Sequence, residues 1–204
     1  MTTPRQTVPS KCLACHADLE TPIVCAGCQT LYPVPQSVDY FDLFRLPRRY
    51  RIDVEELEKK FLAISRNIHP DFFGSQSQEM RELSVRLSAE LNEALRVLKD
   101  PVLRAGYLLE NAGGRSAAQD RSVPQSVLTE VMRLQEEIEG AAGDGAALAR
   151  TRERVTARRG QILERIAELA DDLADRSEKD ETELRQAINS VKYYDNLLGE
   201  LPPG

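Results

Sequence analysis

The chain has 204 residues, 41% of them hydrophobic, enough to supply the buried core of one large or two small domains. Aromatic residues make up only 5% and Trp is absent, while Leu, Ala, Glu and Arg recur, so a mostly α fold is expected and a β-sandwich or barrel is disfavoured. A formal net charge of −6 argues against coating DNA or RNA, and no stretch approaches the roughly 20 apolar residues that span a bilayer.

The first residues, MTTPRQTVPSK, lack the apolar run of a signal peptide, so a soluble intracellular protein is expected. Cys12, Cys15, Cys25 and Cys28 are the only cysteines, and their clustering points to one local device, not a framework of long-range disulfides. Their pattern is Cys12-x2-Cys15, nine residues, then Cys25-x2-Cys28, and each close pair can offer two thiolates to one tetrahedral ion. Structural zinc is the expected occupant. Ala26-Gly27 is read as the tight turn between the second pair. An iron-sulfur cluster on the same thiolates stays open, whereas a thioredoxin-like redox pair is disfavoured because neither pair sits in a βαβ pattern. His16 is taken as a surface residue, since four cysteines complete the shell. A zinc module that binds nucleic acid is disfavoured because Lys11 is the only basic residue between positions 10 and 35.

Tyr32-Pro33-Val34-Pro35 reads as a stiff hinge, followed by a short apolar segment from Val38 to Leu46. Asp53 and Glu56 predict a capping box ahead of Val54, Leu57, Phe61, Ile64 and Ile68, one helical stripe. Pro70 and Gly74 break the pattern. A second long helix is predicted from about Ser77 to Lys99, with Met80, Leu83, Leu87, Leu91, Ala94 and Leu98 on one face and Asp100-Pro101 as its stop. Two such helices joined by a short loop pack antiparallel. Val102 to Leu109 is a further apolar segment, closed by Asn111-Ala112-Gly113-Gly114. Residues 111–124 read as a linker, and helical stretches follow at about 124–140, 146–175 and 180–199, which can bury a shared core as a three-helix bundle. No internal repeat is visible.

His69-Pro70-Asp71 lies in the loop between the two long helices, with Lys59, Lys60 and Arg66 on the helix leading in. Alone, the tripeptide is a weak signal, and no nucleophile or complete catalytic constellation accompanies it, so an enzyme is not expected. Its setting between two helices, after Asp39-Tyr40-Phe41-Asp42-Leu43-Phe44, resembles a J-domain. The resemblance implies that His69, Pro70 and Asp71, supported by Lys60 and Arg66, engage a DnaK/HscA-type chaperone and trigger its ATP hydrolysis. Pro70 would hold the flanking pair in one arrangement, which conserves binding free energy.

Further runs appear in one order: Phe44-Arg45-Leu46-Pro47, Tyr50-Arg51-Ile52-Asp53, His69-Pro70-Asp71-Phe72-Phe73, Leu91-Asn92-Glu93-Ala94 and Asp100-Pro101-Val102-Leu103-Arg104-Ala105-Gly106-Tyr107-Leu108-Leu109. Together they resemble the HscB-type co-chaperones of iron-sulfur cluster assembly, and the likeness continues through Val127–Glu139 and Ala187–Leu198. The four-cysteine module resembles the extension on mitochondrial-type and some bacterial members. Leu95 departs from the family, which usually places an aromatic there, and Arg133 stands where an acid is frequent.

The expected division is 1–36 as a four-cysteine zinc module, 37–112 as the J-domain and 113–204 as a C-terminal three-helix domain. The resemblance implies that the last of these holds the iron-sulfur scaffold protein. In the helix from Val127, the residues Val127, Val131, Leu134 and Ile138 are expected to face the bundle, as are Leu184, Ala187, Ile188, Val191, Tyr194 and Leu198 in the last helix. That leaves Leu128, Met132 and Tyr193 on a more exposed face, where the resemblance implies the scaffold-binding patch, with Thr129 and Glu136 at its rim. The competing reading is a broad core stripe with partly covered edges. A J-domain protein serving other clients is the competing function. A bacterial cytoplasm is the expected compartment and a mitochondrial matrix the alternative; a homodimer stays open, and no nucleic acid or membrane partner is expected.

Overall fold

A computed structural model describes residues 8–35, 38–171 and 177–202. The signal-peptide reading of positions 1–7, the boundary at 36/37 and the expected helix end at 175 lie outside the described residues. Among the described residues the fold is helical: α1 Tyr40–Leu43, α2 Val54–Ile68, a 3-10 turn Pro70–Phe73, α3 Gln78–Lys99, α4 Pro101–Asn111, α5 Gln125–Gly140, α6 Gly145–Asp171 and α7 Glu178–Glu200. No described helix is long and apolar enough to cross a membrane. The chain forms two compact units, residues 1–48 with 52–100 and residues 49–51 with 101–204.

In the first unit, α2 and α3 form the expected antiparallel hairpin. Ser84 Oγ donates to the Ile68 carbonyl at 2.6 Å near the loop, and Lys99 pairs with Glu58 at 2.7 Å toward the other end. Leu57, Ile64, Ile68, Leu87, Leu91, Ala94 and Leu98 are buried as the stripes predict, and Val97 joins them. Met80, Leu83 and Phe61 are only half-buried because they lie at the stripe edges. Asp53 caps α2 by accepting from the Glu55 and Glu56 amides, but the predicted box is not closed: Glu56 turns instead to Lys60 at 3.0 Å. A reciprocal box forms at α1 between Asp39 and Asp42, where Arg48 also pairs with Asp39. Helix α1 ends with Arg45 in the left-handed region (φ 50), and the Leu46 amide returns to the Phe41 carbonyl at 2.9 Å.

The second unit contains the expected bundle of α5, α6 and α7, and α4 packs on α6 and α7 as well. The apolar run after Lys99 is therefore a full helix. Pro101 does not merely stop α3; it opens α4 at a position where its missing N–H costs nothing. Helix α4 closes with the Gly114 amide on Leu109 and the Gly113 amide on Glu110, both at 2.9 Å, with Gly113 at φ +90. Gly114 is required too, since a Cβ there would lie 2.4 Å from Leu109 Cδ1.

Bonds across the bundle set its register. Ser122 with Gln186, Glu130 with Tyr194 and Gln135 with Glu200 keep a separation of 64, 64 and 65 residues, so α5 and α7 run parallel. Arg165–Glu183 and Arg159–Asp195 hold α6 antiparallel to α7. In α7, Leu184, Ile188, Val191 and Tyr194 are buried as expected, but Leu197 replaces Leu198 in the core and Ala187 is half-buried. Helix α7 is capped by Leu201 and not by a glycine: Arg152 of α6 donates to the carbonyls of Leu198, Leu201 and Pro202 at 3.2, 3.2 and 2.9 Å.

Candidate functional site

The cysteine module is built twice. In its first half the Cys12 amide donates to the Ala17 carbonyl, the His16 amide to Cys12 and the Leu19 amide to Ser10; in the second, Cys25 donates to Thr30, Gln29 to Cys25 and Tyr32 to Ile23. Each residue of the first set has its counterpart thirteen positions on. The structure thus corrects the absence of a repeat: the repetition resides in backbone bonds, with the cysteines as its only shared side chains. It also corrects the role of Ala26-Gly27. The left-handed residues are His16 (φ 61) and Gln29 (φ 57), which immediately follow the second cysteine of each pair.

The two turns bring all four Sγ atoms within 4.8 Å of one another, Cys12 to Cys28 at 3.5 Å and Cys15 to Cys25 at 3.6 Å. None is disulfide-bonded. A tetrahedral ion with metal–sulfur bonds of about 2.3 Å needs sulfurs roughly 3.8 Å apart, so the cluster fits a single metal ion. His16 contributes nothing to it and is exposed.

Two hydroxyls address the sulfurs from outside. Tyr32 Oη lies 3.0 Å from Cys12 Sγ and accepts the Leu13 amide at 3.0 Å, which leaves its own hydrogen to point at the sulfur. Thr30 Oγ1 lies 3.1 Å from Cys28 Sγ. The Tyr32 bond is the chief cause that draws the Cys12 thiol down to about 5. Thr30, through hydroxyl and amide, lowers Cys28. Cys15 resists: the Ala17 amide favours its thiolate, but the thiols of Cys28, Cys12 and Cys25 and burial together push it up to about 12.

In the hairpin loop, His69 ends α2 in an extended conformation (φ −61, ψ 131), as a residue before proline must. Its Nδ1 accepts the Asp71 amide at 3.3 Å, so the neutral ring carries its hydrogen on Nε2, free to donate outward. Phe73 is buried beneath the loop, and Arg81 holds the carbonyls of Gly74 and Gln76 at 3.3 and 2.8 Å. With Ser84 on Ile68, these contacts clamp both ends while His69, Asp71 and Phe72 stay exposed. Lys60 is half-buried and donates to the Arg45 carbonyl at 3.2 Å; Arg66 is exposed.

On α5, Val127 and Leu134 are buried, Val131, Ile138 and Leu128 are half-buried, and Met132 is 66% exposed. Thr129 and Glu136 are exposed, and Tyr193 of α7 is 36% exposed beside fully buried Tyr194. The constant offset between α5 and α7 puts Tyr193 at the height of Thr129, within one turn of Leu128 and Met132. Glu136 sits about 10 Å further along, at the height of Glu200. Arg133 lies 3.8 Å from Glu137, and Leu95 is half-buried within α3. Tyr32, Thr30, Arg81 and Ser84 were not anticipated from sequence; a serine inside the apolar stripe of α3 was the one visible signal among them.

Comparison with known proteins matches this architecture to one family. Residues 123–201 match the HSCB C-terminal oligomerisation domain. A co-chaperone protein HscB homolog of Bordetella petrii is 35% identical over 138 residues, covering 67% of this chain and 81% of that protein. An iron-sulfur cluster co-chaperone protein HscB homolog of Arabidopsis thaliana is 28% identical over 180 residues, 88% of this chain and 68% of that one. The crystal structure of human co-chaperone protein HscB has the same fold, with a TM-score of 0.74 at 24% identity, covering 91% of this chain and 93% of the human one. The mostly α fold and the family resemblance are thereby borne out, and this chain belongs to the HscB co-chaperone family.

Proposed function

We propose that this protein is a co-chaperone of iron-sulfur cluster assembly that stimulates the ATPase of a DnaK/HscA-type chaperone and delivers the cluster scaffold protein to it. The observation that carries the first half is the clamped loop: His69 and Asp71 are held outward on a backbone anchored by Phe73, Ser84 and Arg81. A partner meeting this loop need not order it. Arg66 and, from its partly covered position, Lys60 supply positive charge on the helix leading in. The loop acts by favouring one state of the chaperone, a coupling between two proteins and not a reaction performed by this chain.

The scaffold is taken by Leu128, Met132 and Tyr193, with Thr129 and Glu136 at the rim. The exposure of Met132 and Tyr193 beside a core that already contains Val127, Leu134 and Tyr194 supports this reading over a broad core stripe. Carrying both contacts on one chain makes the second encounter intramolecular. The division into residues 1–36, 37–112 and 113–204 assigns these roles to metal binding, chaperone and scaffold.

The metal is zinc in a structural role. Four thiolates with no open position suit that ion, and an iron-sulfur cluster, which interposes iron and sulfide between its thiolates, needs a wider spread of sulfurs than this one.

Single-turnover ATP hydrolysis by the cognate chaperone tests the proposal. His69→Gln is expected to abolish stimulation while leaving the melting temperature of this protein unchanged, because an exposed loop side chain buries little. Equal stimulation by the variant would reject the J-domain mechanism.

A further inference from the structure

A second feature of the α5–α7 face has a polarity opposite to that of the chain as a whole. Arg121 lies in the segment between α4 and α5, and the carbonyls on either side of it, those of Asp120 and Ser122, both accept from the Asn189 side-chain amide at 3.0 Å. The Asp120 carboxylate in turn accepts from the Ser122 amide and hydroxyl at 2.9 and 2.6 Å, and Gln186 reaches the same hydroxyl at 3.4 Å. This short segment is thus laid against α7 and its backbone fixed, with the Arg121 side chain left exposed. One turn beyond Asn189 on the same helix stand Lys192 and Tyr193. Together with Val123 and Ile188, these side chains line an open groove of about 540 Å³.

The charges in this groove are unspent. Elsewhere in the unit Arg158, Arg159, Arg165 and Arg185 each meet a carboxylate, at 2.5 to 3.2 Å. Arg121 and Lys192 have no carboxylate partner among the described residues, and the nearest acid in sequence, Asp120, is occupied by Ser122. In a chain of net charge −6, a groove with two unpaired cations, an apolar floor and a phenol at its end is complementary to a carboxylate with an apolar neighbour.

We infer that the groove receives an acidic segment of the scaffold protein, a carboxylate seating between Arg121 and Lys192 while an adjacent apolar side chain lies along Val123, Ile188 and Tyr193. This rests on the reading of the α5–α7 face as the scaffold surface and adds the charge of the segment that binds there. Because Tyr193 belongs to both groove and patch, one partner can span them. Asn189 is a positioning residue that holds the backbone on either side of Arg121.

Calorimetric titration of the cognate scaffold protein into the full chain decides the matter, with folding followed by thermal melts. Arg121→Glu/Lys192→Glu is expected to weaken binding by about tenfold or more and to flatten its dependence on salt, while Arg150→Glu, an exposed charge change on α6, leaves both unchanged. If the reversal variant does not fold, Arg121→Gln/Lys192→Gln removes the charges alone and is expected to show the same direction. Wild-type affinity and salt dependence in a folded double variant would overturn the inference. Should Leu128→Ala/Met132→Ala weaken binding while the charge variants do not, the groove is refuted and the scaffold surface stands; should none of them matter, the scaffold reading itself fails.

Discussion

Tyr32 and Cys12 are joined by an O–H···S bond of 3.0 Å whose direction is set by Leu13, because the Leu13 amide already occupies the phenol oxygen. A sulfur that accepts such a bond is stabilised as the thiolate, the form a metal ligand must take. Tyr32→Phe keeps the ring in the small cluster of Cys12, Leu19 and Cys25 and removes the O–H···S bond together with the oxygen that accepts the Leu13 amide. Outer-shell bonds of this kind are worth about 10- to 100-fold in metal affinity. Metal transfer to a chromogenic chelator is therefore expected to run at least about tenfold faster in the variant; an unchanged rate would leave Tyr32 with a packing role only.

Removal of the metal should act locally. The cluster around the sulfurs is small, Cys12, Leu19 and Cys25 with Tyr32, and relies on the ion to offset four crowded thiolates, so residues 10–35 are expected to unfold while the helices persist. The wild-type protein should contain one zinc per chain and titrate four thiols only after chelation. Limited proteolysis of the chelated protein is expected to cut within 10–35 at retained helical circular dichroism. Continued protease resistance there would contradict the metal-dependent fold.

Ser84→Ala tests the clamp under the hairpin loop. The 2.6 Å bond to the Ile68 carbonyl is buried, and its loss leaves that oxygen unsatisfied, a cost of about 1–3 kcal/mol. Chemical denaturation should show this loss with an unchanged slope, and chaperone stimulation should weaken because the loop end is released. Wild-type stability would mean that the carbonyl finds another donor.

The patch and the core of α5 are separable by mutation. Leu134 is 2% exposed, and Leu134→Ala is expected to cost about 2–5 kcal/mol in stability. Truncating Leu128, Met132 and Tyr193 together to Ala should instead weaken scaffold binding by at least about 2 kcal/mol with a smaller change in melting temperature. A collapsed melting transition in the triple variant would return these residues to the core.

Helical stripes were readable wherever a segment was long enough to show its period, as in Leu57, Ile64 and Ile68 or Leu87, Leu91 and Leu98. Helix α4 is not legible as a helix in the sequence because eleven residues closed by glycines show too few turns, and because Pro101 ends one helix and begins the next. Adjacent leucines defeat a stripe: between Leu197 and Leu198 the choice depends on the exact phase of α7 against α6. The metal ligands were legible from spacing, whereas the thirteen-residue repeat was not, since it is written in backbone bonds. Tyr32, Arg81, Ser84 and Asn189 act through partners brought near only by folding, which no local pattern announces.

The guanidinium of Arg152 finally has a bearing on motion. Terminal turns of a helix ordinarily fray, because their carbonyls lack partners and nothing opposes local opening. Here one side chain from the third turn of α6 holds the carbonyls of Leu198, Leu201 and Pro202. The end of α7 therefore opens only when α6 lets go, and amide exchange in its last turn reports the cooperative opening of the bundle instead of the loosening of a free end.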